Sequence, residues 1–164
     1  MKLAITLLSV TLLQVSTTCA TQISSNQNLI GTWEYRQAAG KTFDDEGEII
    51  NFTEGKGHLK GIYFGLEREG EHGLFYTAVE IKDFEQSNGG QVSFTVPERT
   101  LFEKRPKITQ EAVAQRLPSA GFTRDELKLE GVLLGERLIL HCRSEGQSCP
   151  DEIMIFKKGK WSLR

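Results

Sequence analysis

"GLEREGEHGLFYTAVEI", residues 65–81, offers two incompatible readings. Glu69 and His72 have the Glu-x-x-His spacing that metal and acid/base sites use on helices. The other reading is a β-hairpin whose two-residue turn is Glu69-Gly70, with glycine at positive φ. In that register Arg68 faces Glu71, Glu67 faces His72, Phe64 faces Phe75 and Tyr63 faces Tyr76, so opposite charges and aromatic pairs meet across the strands. The turn accounts for every residue of the stretch and the helix for two, so the sequence predicts strands here and no metal site.

Side chains alternate between the faces of a strand. One face of this hairpin would carry Ile62, Phe64, Leu66, Phe75, Thr77, Val79 and Ile81, dense enough for a core. The other would carry Leu59, Gly61, Tyr63, Gly65, Leu74, Tyr76, Ala78 and Glu80. That second face reads in one of two ways. It is a shallow apolar pocket with Tyr63, Tyr76 and Glu80 as polar anchors, or an ordinary outer face with glycines at a bend or bulge.

Working outward, short alternating runs separated by glycine, asparagine or charged turns predict strands near 31–37, 48–54, 57–66, 73–83, 90–97, 126–134, 137–143 and 152–158. "PERTLFEKRP" either extends the fifth run or forms another strand. In "ITQEAVAQRLPSAG", Thr109 caps a short helix over 109–117, an apolar stripe runs through Ile108, Ala112, Val113 and Leu117, and Pro118 ends it. That helix is a surface element across a sheet end or a lid over a pocket.

Residues 1–20 read as a secretory signal peptide, with an apolar run from Leu3 to Leu13 and with Thr18 and Ala20 suiting a cut before Thr21. The run is too short for a membrane span, which takes about 20 apolar residues. Cys19 opens a second reading, a lipid anchor to the envelope of the kind bacterial lipoproteins carry, although Ser16 stands where those signals have leucine. Removing the signal leaves 164 − 20 = 144 residues, a polar leader at 21–28 and a single domain over 29–164. Cys142 and Cys149 flank a short polar loop in an exported chain, which predicts a disulfide. A formal net charge of −2 carries no nucleic-acid footprint.

"LIGTWEYR", residues 29–36, places Gly31-x-Trp33 at the start of a strand. This resembles the opening of the lipocalin and avidin-like barrels, the calycin group, and the chain is similar to a divergent lipocalin-like bacterial secreted domain. The resemblance implies an up-and-down antiparallel β-barrel with a ligand at one mouth, Trp33 closing the other end, and a cation such as Arg143 over it. No Thr-Asp-Tyr second motif and no helix after the last strand accompany it. Closing about eight strands into a barrel would also remove sheet edges that invite pairing with other chains. The fold class expected is therefore all-β, a barrel with one short helix in a long connection. The alternative is an α+β open sheet packed on that helix.

No nucleophile elbow, phosphate loop or dinucleotide fingerprint occurs, and nothing implies a cofactor. His58, His72 and His141 fall on three strands, and "FDDEGE", residues 43–48, reads as a charged, solvated loop without calcium-site spacing. Asn51-Phe52-Thr53 matches a glycosylation sequon. The function expected is non-catalytic binding of a small apolar or amphiphilic molecule in a secreted or periplasmic barrel, with an enzyme of unspecified reaction as a third class. The alternative is a protein-binding module, such as a hydrolase inhibitor, using an exposed anchor of Leu101 and Phe102 rimmed by Arg99, Lys104, Arg105 and Lys107.

Overall fold

A computed structural model describes residues 28–36, 47–56, 58–68, 73–103, 119–144 and 149–159. Among these the chain is all-β, without a helix. Its strands are β1 (Gly31–Arg36), β2 (Gly47–Gly55), β3 (His58–Arg68), β4 (Leu74–Glu80), β5 (Lys82–Gln86), β6 (Gln91–Val96), β7 (Arg99–Phe102), β8 (Ser119–Arg124), β9 (Leu127–Leu134), β10 (Arg137–Cys142) and β11 (Ile153–Lys158). They form one antiparallel sheet in the order β5-β6-β9-β10-β11-β1-β2-β3-β4-β7-β8, curled into a half-barrel. The expected signal peptide at 1–20, the 109–117 helix, and His72, Lys104, Arg105 and Lys107 lie outside the described residues.

Eight expected runs become eleven strands for three local reasons. The run at 73–83 breaks at Ile81 into β4 and β5, residues 99–102 pair as a strand of their own, and β8 follows Pro118. At the break, β4 leaves its partner β3 and β5 pairs with β6 at the other end of the strand order. The Ile81 backbone N–H still donates to the Gly61 carbonyl at 2.9 Å. The curl brings Phe84 of β5 and Phe94 of β6 against Phe52 of β2, with ring centroids 5.6 and 6.1 Å apart.

The hairpin register differs from the one the turn reading predicts. Tyr63 pairs with Val79, Phe64 with Ala78 and Glu67 with Phe75, and the last described pair is Arg68 with Leu74; the expected Glu69-Gly70 turn lies outside the described residues. The shift is three residues, and an odd shift turns one strand's whole side-chain set to the other face. The core face therefore combines Gly61, Tyr63 and Gly65 of β3 with Phe75, Thr77, Val79 and Ile81 of β4.

That face belongs to one large core, in which Trp33, Ile50, Phe52, Tyr63, Phe94, Leu129, Leu140 and Phe156 are buried together. Ile62 and Phe64, expected in the main core, join Ile49 in a second buried cluster on the opposite face. Gly61 and Gly65 of this face hold no open space. A methyl group on Gly61 would stand 2.2 Å from Ile81 Cδ1, so the gap is filled by the chain's own side chain.

Both outermost strands are irregular. In β5 the register breaks between Lys82 and Glu85 around Asp83, whose φ is 50°. In β8, Gly121 has φ 83°, and the β7–β8 register breaks between Thr100 and Phe102. Such bulges bend a strand and interrupt its ladder. At the middle of the order, β1 is held between β2 and β11, with Trp33 opposite both Ile50 and Lys158. The expected disulfide is present, linking Cys142 to Cys149. Among the described residues no helix is long and apolar enough to cross a membrane.

Candidate functional site

Residues paired across β1, β2, β3 and β4 share a face, and on the core face they change character along the strands. Gly31–Phe52–Gly61 is followed by Trp33–Ile50–Tyr63–Val79, then by Tyr35–Glu48–Gly65–Thr77, then by Glu67–Phe75. Packing is apolar at first and polar by the third row. Glu48 enters because β2 alternates: Glu48, Ile50 and Phe52 point the same way.

Arg99 reaches this polar end from β7. It is 3% exposed, Glu48 4% and Thr77 1%, so three polar side chains are withdrawn from water together. The Arg99 guanidinium carbon lies 5.3 Å from the centre of the Tyr63 ring. Its Nη1 donates to the Asp125 carbonyl at 2.6 Å, and its Nη2 is 3.5 Å from Glu67 Oε1. Glu67 also accepts from Arg124 Nε, at shorter range, so two guanidinium groups share one carboxylate.

Four atoms of this cluster have no hydrogen-bond partner among the described residues: Glu48 Oε2, Tyr63 Oη, Thr77 Oγ1 and Arg99 Nε. Buried polar atoms are nearly always paired, with protein, water or a ligand. Burial pushes the Glu48 carboxyl up to about 8. The Tyr63 hydroxyl, close to it but outside hydrogen-bonding geometry, works the other way, Glu67 adds to the rise and Arg99 opposes it. Burial likewise raises the Tyr63 phenol well above its ordinary value, and the neighbouring Glu48 adds to that. At neutral pH Glu48 is thus a neutral acid offering an O–H.

Beside the cluster, Phe75 and Phe122 stack at 5.4 Å. They bound a cavity of about 510 Å³ with Leu74, Ala120 and Glu103. Phe75, which pairs with Glu67, is the neighbour that the cavity wall and the polar end of the sheet share.

Of the three anchors the sequence suggests, only Tyr63 is here. Tyr76 pairs with Leu66 and Phe102 on the opposite face, and Glu80 is exposed there, 4.0 Å from Lys60. The cation over Trp33 is Lys158, 5.5 Å from the ring, rather than Arg143. Trp33 Nε1 donates to the Leu29 carbonyl at 2.7 Å, and Lys158 Nζ donates to that of Asn28 at 3.2 Å. Arg143 is exposed and lines an outer groove of about 450 Å³ with Glu85, Glu130 and His141.

The expected protein-binding anchor is not assembled as such either. Arg99 and Leu101 are buried, and Phe102 is half-buried beside Tyr76. Exposed apolar side chains lie elsewhere, at Ile153 and Ile155, 49% and 44% exposed. Across the strands they continue into Ile139 and Val132 on the outer face of β10 and β9. Glu48, Thr77, Glu67 and Arg124 were not singled out by the sequence reading, although alternation with Ile50 and Phe52 in "EIINF" carries the signal for Glu48. Among the described residues no three histidine, cysteine, aspartate or glutamate side chains gather as a metal site. No protein-family model, curated protein or solved structure matches the chain.

Proposed function

We propose that this chain is a non-catalytic, exported binding module whose curled sheet closes into a lipocalin-like barrel and holds a small amphiphilic molecule. The observation that carries the reading is a buried cluster, Glu48, Tyr63, Thr77 and Arg99, in which four polar atoms have no partner among the described residues. A ligand's polar end satisfies them, and the Phe75–Phe122 opening takes its apolar part. Closure is supported by the single residue between β4 and β5 and by the packing of Phe84 and Phe94 on Phe52. Trp33 under the Lys158 cation supports the calycin resemblance. The disulfide agrees with a secreted or periplasmic location.

Native mass spectrometry of protein purified from its export compartment tests this. A small molecule bound at one per chain and released on denaturation is the expected result. A bare chain, in a preparation whose Tm no small amphiphile raises, overturns the reading.

Exposed Ile153 and Ile155, with half-buried Ile139 beside them, favour a second reading, protein recognition through the outer face of β9–β11. Replacing Ile155 with lysine would then abolish capture of a partner from envelope extracts without lowering Tm. Capture at wild-type levels removes that face from consideration.

A further inference from the structure

We infer that the buried cluster receives a carboxylate, a singly charged oxygen anion, in preference to a neutral or cationic group. This deepens the binding reading above and rests on it.

Three of the four unpartnered atoms carry protons to give: Tyr63 Oη, Thr77 Oγ1 and Arg99 Nε. The fourth, on Glu48, belongs to a carboxyl that burial keeps protonated, so it too presents an O–H and adds no negative charge. A ligand that mainly accepts hydrogen bonds fits such a set, and an ammonium group, which only donates, does not.

Charge points the same way. Arg99 is the more buried of the two guanidinium groups, its side chain 1% exposed against 25% for Arg124. Glu67, their shared carboxylate, stands closer to Arg124, and its contact with Arg99 is the longer at 3.5 Å. A buried cation with a distant, shared counter-ion is incompletely neutralised, and an anion at its Nε completes it. Tyr63 lies under that same guanidinium, its ring centre 5.3 Å from the guanidinium carbon, so the two residues border the same buried region.

The test uses the exported chain with three probes of one size, hexanoate, hexanamide and hexylamine, followed by calorimetry and thermal shift at pH 7. The expected result is a Kd for hexanoate at least about tenfold lower than for hexanamide, with no binding of hexylamine. Tyr63→Phe and Thr77→Val should each weaken hexanoate about tenfold, roughly the loss of one hydrogen bond to a charged group. Neither should lower the Tm of the ligand-free protein, because each removes a polar atom that has no partner. Hexanamide or hexylamine bound as tightly as hexanoate overturns the carboxylate assignment and leaves the binding reading standing. Hexanoate affinity unchanged in both variants also overturns it, since the anion then binds elsewhere. If no probe binds, a native mass spectrum decides: a copurified carboxylic acid supports the inference, a neutral or cationic molecule overturns it alone, and a bare chain overturns it together with the binding reading.

Discussion

Gly65 leaves no room for a side chain beneath its cross-strand partner Glu48: a methyl group there would stand 3.0 Å from Glu48 Oε2 and 2.9 Å from Thr77 Cγ2. The glycine lets the carboxyl lie flat across β3. Gly65→Ala forces both neighbours to shift, and overpacking of this kind destabilises by about 1–3 kcal/mol. Urea denaturation should register that loss, and the variant should no longer gain stability from any ligand that engages Glu48. A midpoint equal to wild type would show that the row has slack.

Glu48 titrates at about 8 in the folded chain and ordinarily at 4.5. Between those values the native state holds a proton that the unfolded state has released, so this group's contribution to stability falls as pH rises from 4.5 to 8. Below 4.5 both states are protonated, and above 8 both are ionised, so the contribution is flat. The span is on the order of a few kcal/mol. Glu48→Gln removes it: the stability of wild type relative to the variant should decline across that window. Parallel curves for the two proteins from pH 4 to 9 would contradict the burial argument.

Glu67 serves two guanidinium groups of unequal burial. Glu67→Gln strands Arg99 beside a carbonyl and a tyrosine ring, and removing one partner of a buried pair typically costs about 3 kcal/mol or more. Arg124→Gln, at the more exposed end of the pair, should cost about 1 kcal/mol or less. Chemical denaturation of both variants checks the order, and equal losses would place the two pairs in the same environment.

The Cys142–Cys149 bond closes a loop with a sequence separation of 7. On the chain-entropy account it stabilises by about 2–3 kcal/mol. The double replacement Cys142→Ser, Cys149→Ser should therefore unfold at lower urea with an unchanged slope. Because the loop leads into Asp151, whose carboxylate accepts from the Tyr35 hydroxyl, the same variant should quench or shift Tyr35 fluorescence before global unfolding. No change in either reading would make the bond incidental.

The strand pattern was legible because alternation is a local property. Eight runs were placed within a few residues, and Cys142 and Cys149 were paired from spacing and compartment alone. The hairpin register was not legible. An even shift would have kept Tyr63 with Tyr76, whereas the observed odd shift of three sends Tyr76 and Glu80 to the other face. Charge and aromatic pairing across a presumed turn is weaker than burial of Ile81, with Val79 packed beside it, in the core that holds Tyr63. Glu48 ends an acidic run, and the charge of Arg99 suggests exposure, so neither stands out locally as an inward residue. Each is buried because its strand's phase puts it inward, and strand phase is set by long-range pairing.

Trp33 of β1 lies opposite Lys158 of β11, near the two extremes of the described chain. The sheet's central seam is therefore a contact between the first and the last strand of the described chain. Pairings of such long sequence separation are slow, on the order of milliseconds to seconds. A nascent chain of this design has no partner for β1's second edge until β11 has been delivered. The seam therefore closes as a late event, once β11 is available to β1.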